Sequence, residues 1–354
     1  MSVDDALPRA YRLAPNQDRG TVVGAQPRCV FIEVTNRCNL SCTTCVRAFV
    51  GYEPLRTLTF EEFEAIAAQF PAMERAVLHG LGEPLLNRHL PAMIRHLKER
   101  GVTVLFNSNG TLLTAEWQNA LILSGLDELR ISLDTPDPEK YAQIRGQPLF
   151  HRVVDNVREL VATKRRLGSD EPRISLWAVG TRDNLEELPN LIRLASSIGV
   201  PEVYVQRLTF SVEENGRYGT ALPQQALFGR LSEIQESIIG ECERLSCSLG
   251  VDFQASGATD PAHSLRAARS SDRRPWSSCR RPWTTAYITV NGNALPCCIA
   301  HWADAHYDRI ILGNIWQRRF SDIWNDKPYQ AWRGALLGDT PNKACSGCGV
   351  HWSL

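Results

Sequence analysis

Three cysteines, Cys38, Cys42 and Cys45, follow one another with three and then two residues between them in the run Glu33-Val34-Thr35-Asn36-Arg37-Cys38-Asn39-Leu40-Ser41-Cys42-Thr43-Thr44-Cys45. A loop that places three thiolates within a few ångströms can hold three irons of a four-iron, four-sulfur cluster and leave the fourth iron open to a chelating ligand. A zinc ion completed by a distant His or Cys would use the same residues. A second set stands near the end of the chain: Cys279, Cys297 with Cys298 beside it, Cys345 and Cys348. Four thiolates saturate a four-iron cluster, which leaves electron transfer as its natural role, and two cysteine pairs on a structural zinc are the alternative. Gly292, at a turn with four residues before Cys297, favours Cys297 over Cys298 as the ligand, and Cys298 is expected as a small buried hydrophobe. Cys29, Cys242 and Cys247 have no partner at a useful spacing and read as core.

The rest of the composition narrows the context. The chain has 354 residues, 39 basic and 39 acidic side chains, and 11 cysteines. A neutral balance gives no electrostatic reason to expect nucleic acid or an anionic membrane as partner. Residues 1–26 mix charges with prolines and carry no apolar signal-peptide core, and no run reaches 18 uninterrupted apolar residues. A cytoplasmic protein is expected, and in that compartment metal or cluster ligation explains many cysteines better than disulfides do.

The elements that must position these residues follow a β/α rhythm from Arg28 to about Phe210. Strands are expected at Val30 to Thr35, Arg75 to His79, Val102 to Phe106, Leu126 to Leu133, Arg173 to Val179 and Glu202 to Leu208. Between them Phe60, Phe63, Ile66, Ala67 and Phe70 share a helical face, started by a capping box of Thr59 and Glu62. Val153, Val157, Leu160 and Val161 form another stripe, as do Leu191, Leu194, Ala195 and Ile198. The division expected is an N-terminal extension (1–27), a six-unit α/β body (28–210), a helix and linker (211–275) and a C-terminal module (276–354). In the third segment Leu227, Leu231, Ile234 and Ile238 predict an amphipathic helix, and Ala255 to Ser278 reads as a linker. In the last, Ala286 to Val290, Asn291-Gly292 and Ala294 to Cys298 predict a hairpin. Seven of the nine tryptophans lie there, and their spacing reads as core.

The cysteine triplet after the first strand resembles the signature of the radical S-adenosylmethionine enzymes, and other motifs support the likeness in order. Gly80-Leu81-Gly82-Glu83-Pro84 after the second strand is similar to the family's glycine-glycine-glutamate segment, with Leu81 where many members have Gly. Asn107-Ser108-Asn109-Gly110-Thr111 follows the third strand, and Ser132-Leu133-Asp134 ends the fourth. Taken singly, such residues also serve as helix caps. The resemblance implies a partial (β/α)6 barrel of TIM type over residues 28 to 210. It implies that Cys38, Cys42 and Cys45 hold the catalytic 4Fe-4S cluster. It places Gly82, Glu83, Asn107, Asn109, Ser132 and Asp134 around bound S-adenosylmethionine, the last two near the ribose hydroxyls and methionine carboxylate. The chemistry implied is reductive cleavage of that cofactor to a 5'-deoxyadenosyl radical, which takes a hydrogen atom from substrate; no protein nucleophile is required, and no catalytic acid or base is assigned.

The second cysteine set resembles the auxiliary-cluster domains called SPASM and, in the shorter form, twitch. Only six residues follow Cys348, so the twitch form is expected, with one auxiliary 4Fe-4S cluster on Cys279, Cys297, Cys345 and Cys348. The function implied is an oxidoreductase that passes the substrate's second electron to that cluster. A sugar- or aminocyclitol-like small molecule is the expected substrate, because the 37 residues before Cys38 leave no room for a leader-peptide-binding domain. The alternatives are a peptide maturase with a separate recognition partner, and a non-catalytic iron-sulfur or zinc protein. A flavodoxin- or ferredoxin-like reductant is the expected protein partner. Arg266, Arg269, Arg273, Arg274, Arg280 and Arg281 make a basic run, a solvated linker or a contact for a substrate carboxylate or phosphate; His301, His306 and His351 flank the second cysteine set.

Overall fold

This computed structural model describes residues 9–14, 17–48, 51–208, 225, 232–255, 274–304 and 306–346. Seven parallel strands follow one another in chain order: β1 (Cys29–Ile32), β2 (Arg75–Val77), β3 (Thr103–Ser108), β4 (Glu128–Ser132), β5 (Arg173–Gly180), β6 (Glu202–Arg207) and β7 (Asp252–Ala255). The crossovers carry α1 (Phe60–Ala67), α2 (Leu90–Glu99), α3 (Ala115–Leu123), α4 (Pro138–Arg145), α5 (Phe150–Leu167), α6 (Leu188–Ile198) and α7 (Glu233–Leu249). Strands covered on both faces read as unbroken apolar runs, and β1, Cys-Val-Phe-Ile, is buried at every position. The expected capping box starts α1: Thr59 Oγ1 accepts from the Glu62 N–H and Glu62 accepts from the Thr59 N–H.

The parallel, unclosed sheet is the partial barrel expected, with one strand more than the sequence reading counted. β7 pairs with β6 in parallel, Val203 opposite Phe253, where only the start of a linker was expected. Its four residues alternate exposed and buried, too short a signal to separate from a loop. The helix before it also differs from expectation. Ser232 caps it with Gln235, and its buried residues are Ile239, Cys242 and Ser246; Ile234 is 71% exposed, while Leu227 and Leu231 lie outside the described residues.

On its other side β1 pairs in parallel with β8 (Thr285–Ile288), which turns through Gly292 (φ 85°) into antiparallel β9 (Asn293–Leu295), and β9 pairs with β10 (Gly313–Asn314). The predicted hairpin is therefore present, and it extends the barrel sheet to ten strands. The C-terminal part also holds helix α8 (Lys327–Leu337), whose Arg333 is fully buried between Trp324 and Tyr329, 4.3 and 5.1 Å from their rings. Residues 17–25 lace along this part: Arg333 donates to Thr21 O, Asn325 exchanges bonds with Val23, and Trp283 donates to Gly20 O. Trp283, Trp324 and Trp332 are core, as expected, whereas Trp316 is 39% exposed beside Gly292. Trp352 lies outside the described residues. No helix among the described residues is long and apolar enough to cross a membrane.

Candidate functional site

The C-terminal ends of the parallel strands surround a large cavity, where barrel enzymes place their chemistry. Cys38, Cys42, Cys45, Gly82, Glu83, Asn107, Asn109, Ser132 and Asp134 all line it. The cysteine loop is held from three sides. Asn36 Nδ2 donates to Pro54 O at 2.9 Å, and Asn109 Nδ2 donates to Asn39 Oδ1 at 2.9 Å while lying 4.0 Å from Cys38 Sγ. Below the loop the end of α4 docks, with the Thr43 N–H on Ile144 O at 2.9 Å and Gly146, at φ 78°, against Ser41 O. Burial raises the Cys38 thiol, and burial with the neighbouring Cys42 pushes Cys45 up to about 11. Three adjacent thiolates therefore need a cationic partner. The triplet rims a cavity, as an open-sided cluster requires.

The glycine-glutamate segment works against protein as much as against a ligand. A Cβ on Gly82 would lie 2.2 Å from Thr35 O and 2.6 Å from Arg37 O, so glycine lets the segment close on the cysteine loop. Glu83 is buried and accepts from Ser108 Oγ at 2.9 Å, the Asn109 N–H at 2.7 Å and the Leu85 N–H at 3.1 Å; burial nonetheless pushes its carboxyl up to about 7. Glu33 accepts the Leu81 and Val290 N–H groups at 2.7 and 3.1 Å and is likewise pushed up to about 7 by burial, so it ties this segment to the C-terminal hairpin.

Some polar groups remain aimed at the cavity. Asn107 Oδ1 is buried without a protein partner, while the Asn107 N–H donates to His79 Nδ1 at 3.1 Å. Burial lowers His79 to about 3, which keeps the ring neutral and able to accept that bond. Asp134, in contrast, is committed: Oδ1 accepts the Val179 N–H at 2.9 Å and Oδ2 pairs with Arg145 at 2.6 Å. Arg145 is the residue the sequence reading missed. It lines the cavity, its Nη1 lies 3.8 Å from Cys42 Sγ, and its Nε has no protein partner. Its signal was slight, an Arg in the last turn of a helix before Gly146, where a basic residue also serves the helix dipole.

Cys279, Cys297 and Cys345 line a second, smaller cavity with Arg281, Pro282, Ile299 and Trp332. Cys348 and His351 lie outside the described residues, as do Arg266, Arg269 and Arg273. Cys298 does not join its neighbour. It is half-buried and faces the large cavity with Tyr287, His301 and Trp302, which corrects the expectation of a buried hydrophobe. The chain bends and turns between the end of β9 and the short helix that starts at Ala300, and in that turn Cys297 lines the smaller cavity while Cys298 lines the larger. Cys29 and Cys242 are core, as expected; Cys247 is exposed because it falls off the buried stripe of α7.

The Radical SAM superfamily model matches residues 32–204, and the model of an iron-sulfur cluster-binding domain, SPASM, matches residues 279–349. The chain is a radical SAM protein with a C-terminal SPASM domain. Its cofactors are those of that pair: a 4Fe-4S cluster with S-adenosylmethionine in the barrel, and auxiliary iron-sulfur in the SPASM domain. The radical SAM protein is 29% identical over 51% of its length to the tungsten-containing aldehyde ferredoxin oxidoreductase cofactor-modifying protein of Pyrococcus furiosus, and spans 51% of that relative. It is 24% identical over 91% of its length to the PqqA peptide cyclase of Xanthomonas campestris, covering 79% of it. In fold it is similar to Streptococcus suis SuiB bound to S-adenosylmethionine, with a TM-score of 0.67 and 18% identity over 94% of this chain and 73% of that one.

Proposed function

We propose that this protein is an oxidoreductase that removes hydrogen from an unactivated C–H bond of a substrate in the large cavity, with the second electron leaving through an auxiliary cluster. The observation that supports this reading is the make-up of the cavity wall. Cys38, Cys42 and Cys45 line it together with Cys298, Ile299, His301 and Trp302, which follow Cys297 in the chain. A substrate in this cavity lies next to both cysteine sets. When bound, S-adenosylmethionine on the open cluster supplies a 5'-deoxyadenosyl radical, and the auxiliary cluster supplies an electron acceptor.

The chain's own residues supply position and exclusion of water. Cys38, Cys42 and Cys45 hold the open cluster, and Cys279, Cys297, Cys345 and Cys348 the auxiliary one. Asn107 Oδ1, Arg145 and Ser132 meet polar groups of the cofactor, with Gly82 close behind them. Glu83 sets Ser108 and Asn109 in place, and Asp134 sets Arg145, so both act through a neighbour. His301, lowered to about 3 by burial, faces substrate as a neutral ring. The substrate proposed is a sugar- or aminocyclitol-like intermediate. A peptide is the second reading, favoured by the match to a peptide cyclase along 91% of this chain; a flavodoxin- or ferredoxin-like protein is the proposed reductant for either.

Two measurements test the reading. Anaerobic protein reduced with dithionite and given S-adenosylmethionine forms 5'-deoxyadenosine, and no excess over a Cys42→Ala control would refute it. Iron analysis gives about eight per chain, as two four-iron clusters require.

A further inference from the structure

Between the two cavities stands a charged side chain that lines the smaller one and touches the wall of the larger. Arg281 lines the smaller cavity with Cys279, Cys297 and Cys345, and its Nη1 donates at 3.2 Å to Cys298 Sγ, which lines the larger one. Its backbone N–H faces the Cys279 thiol, and its guanidinium is a positive charge acting on both Cys279 and Cys297. Arg19 is a second, more distant cation, donating to Cys279 O at 3.5 Å. The surroundings are apolar: Pro282, Ile299, Ala300, Trp332, Leu336 and Ala344 complete the smaller cavity.

From this placement we infer that Arg281 is a positioning residue that raises the reduction potential of the auxiliary cluster, so that the cluster accepts the electron leaving the substrate. The inference rests on the proposed ligation of that cluster by Cys279, Cys297 and Cys345. A four-thiolate cluster is anionic and gains another negative charge on reduction, so a held cation stabilises the reduced form more than the oxidised one. A hydrogen bond to a ligating sulfur acts in the same direction. Arginine suits the position because its planar fork keeps its charge and can face Cys298 and the cluster together. The apolar lining limits screening, and the Cys298 contact keeps the guanidinium from turning away.

The test uses the full-length, cluster-loaded protein in the wild type, Arg281→Gln, Arg281→Met and Arg281→Lys forms. Iron is counted first, and each cluster is then followed by EPR through a redox titration; the barrel cluster is recognised by its response to S-adenosylmethionine. In whichever neutral variant keeps full iron, the reduced-to-oxidised ratio of the auxiliary cluster at a given applied potential should fall at least tenfold, a downward shift of about 59 mV for a one-electron couple. The barrel cluster should not move, and Arg281→Lys should stay near wild type. Full iron with an unmoved auxiliary potential overturns the inference alone, as does a lysine variant that falls as far as the neutral ones. Wild-type protein holding about four iron and a zinc overturns the ligation beneath it as well.

Discussion

Glu83→Gln separates the two things that the buried carboxylate does. Glu83 sits beneath Ser108 and Asn109, accepting three hydrogen bonds, and through Asn109 it steadies the loop of Cys38. Burial raises its pKa from 4.5 to about 7. The folded value lies above the unfolded one, so its contribution to stability is fully present below about pH 4.5 and is lost as pH rises through about 7. Between pH 5.5 and pH 8 that loss amounts to about 2 kcal/mol from a single group. Glutamine keeps the volume and stays neutral throughout. Glu33 has a shift of the same sign, but it is present in both chains and cancels in the comparison. Urea unfolding of the metal-free, reduced protein, followed by tryptophan fluorescence at the two pH values, should therefore show the stability difference moving by about 2 kcal/mol in the variant's favour. A difference that stays constant within about 0.5 kcal/mol across that range would mean that Glu83 is ionised in the fold throughout, and the burial argument would be wrong.

Three further outcomes follow from the same geometry. Cys297→Ala should lower iron from about eight to about four per chain while Cys298→Ala keeps about eight, because only Cys297 shares a cavity with Cys279 and Cys345. Arg145→Ala leaves the Asp134 carboxylate buried and unpaired, and should cost about 3–5 kcal/mol in urea unfolding, with Arg145→Lys recovering part of it. Gly82→Ala forces a methyl group to within 2.2 Å of Thr35 O, so the segment must move off the cysteine loop; reconstitution of the barrel cluster should fall sharply, read as iron content with the auxiliary cluster retained.

Much of this protein could be read from local pattern. Six strands, the capping box at Thr59 and the hairpin turn at Gly292 depend on periodicity and on backbone preferences of nearby residues, which a linear sequence displays directly. The cysteine spacings and the polar residues at strand ends are local as well, and in a parallel sheet successive strand ends must lie side by side, so order along the chain already implied one shared cavity. What tertiary structure decided is which partner each group spends its bonds on. Asp134 and Glu83 were legible as site residues, but their engagement with Arg145, Val179, Ser108 and Asn109 depends on contacts between different crossovers. Cys297 and Cys298 are adjacent and chemically identical, and only the direction of the backbone after β9 sends one to each cavity. The pairing of β8 with β1 is of the same kind: some 250 residues separate these strands in the chain, no local signal specifies the match, and it is this pairing that brings the second cysteine set to the mouth of the first.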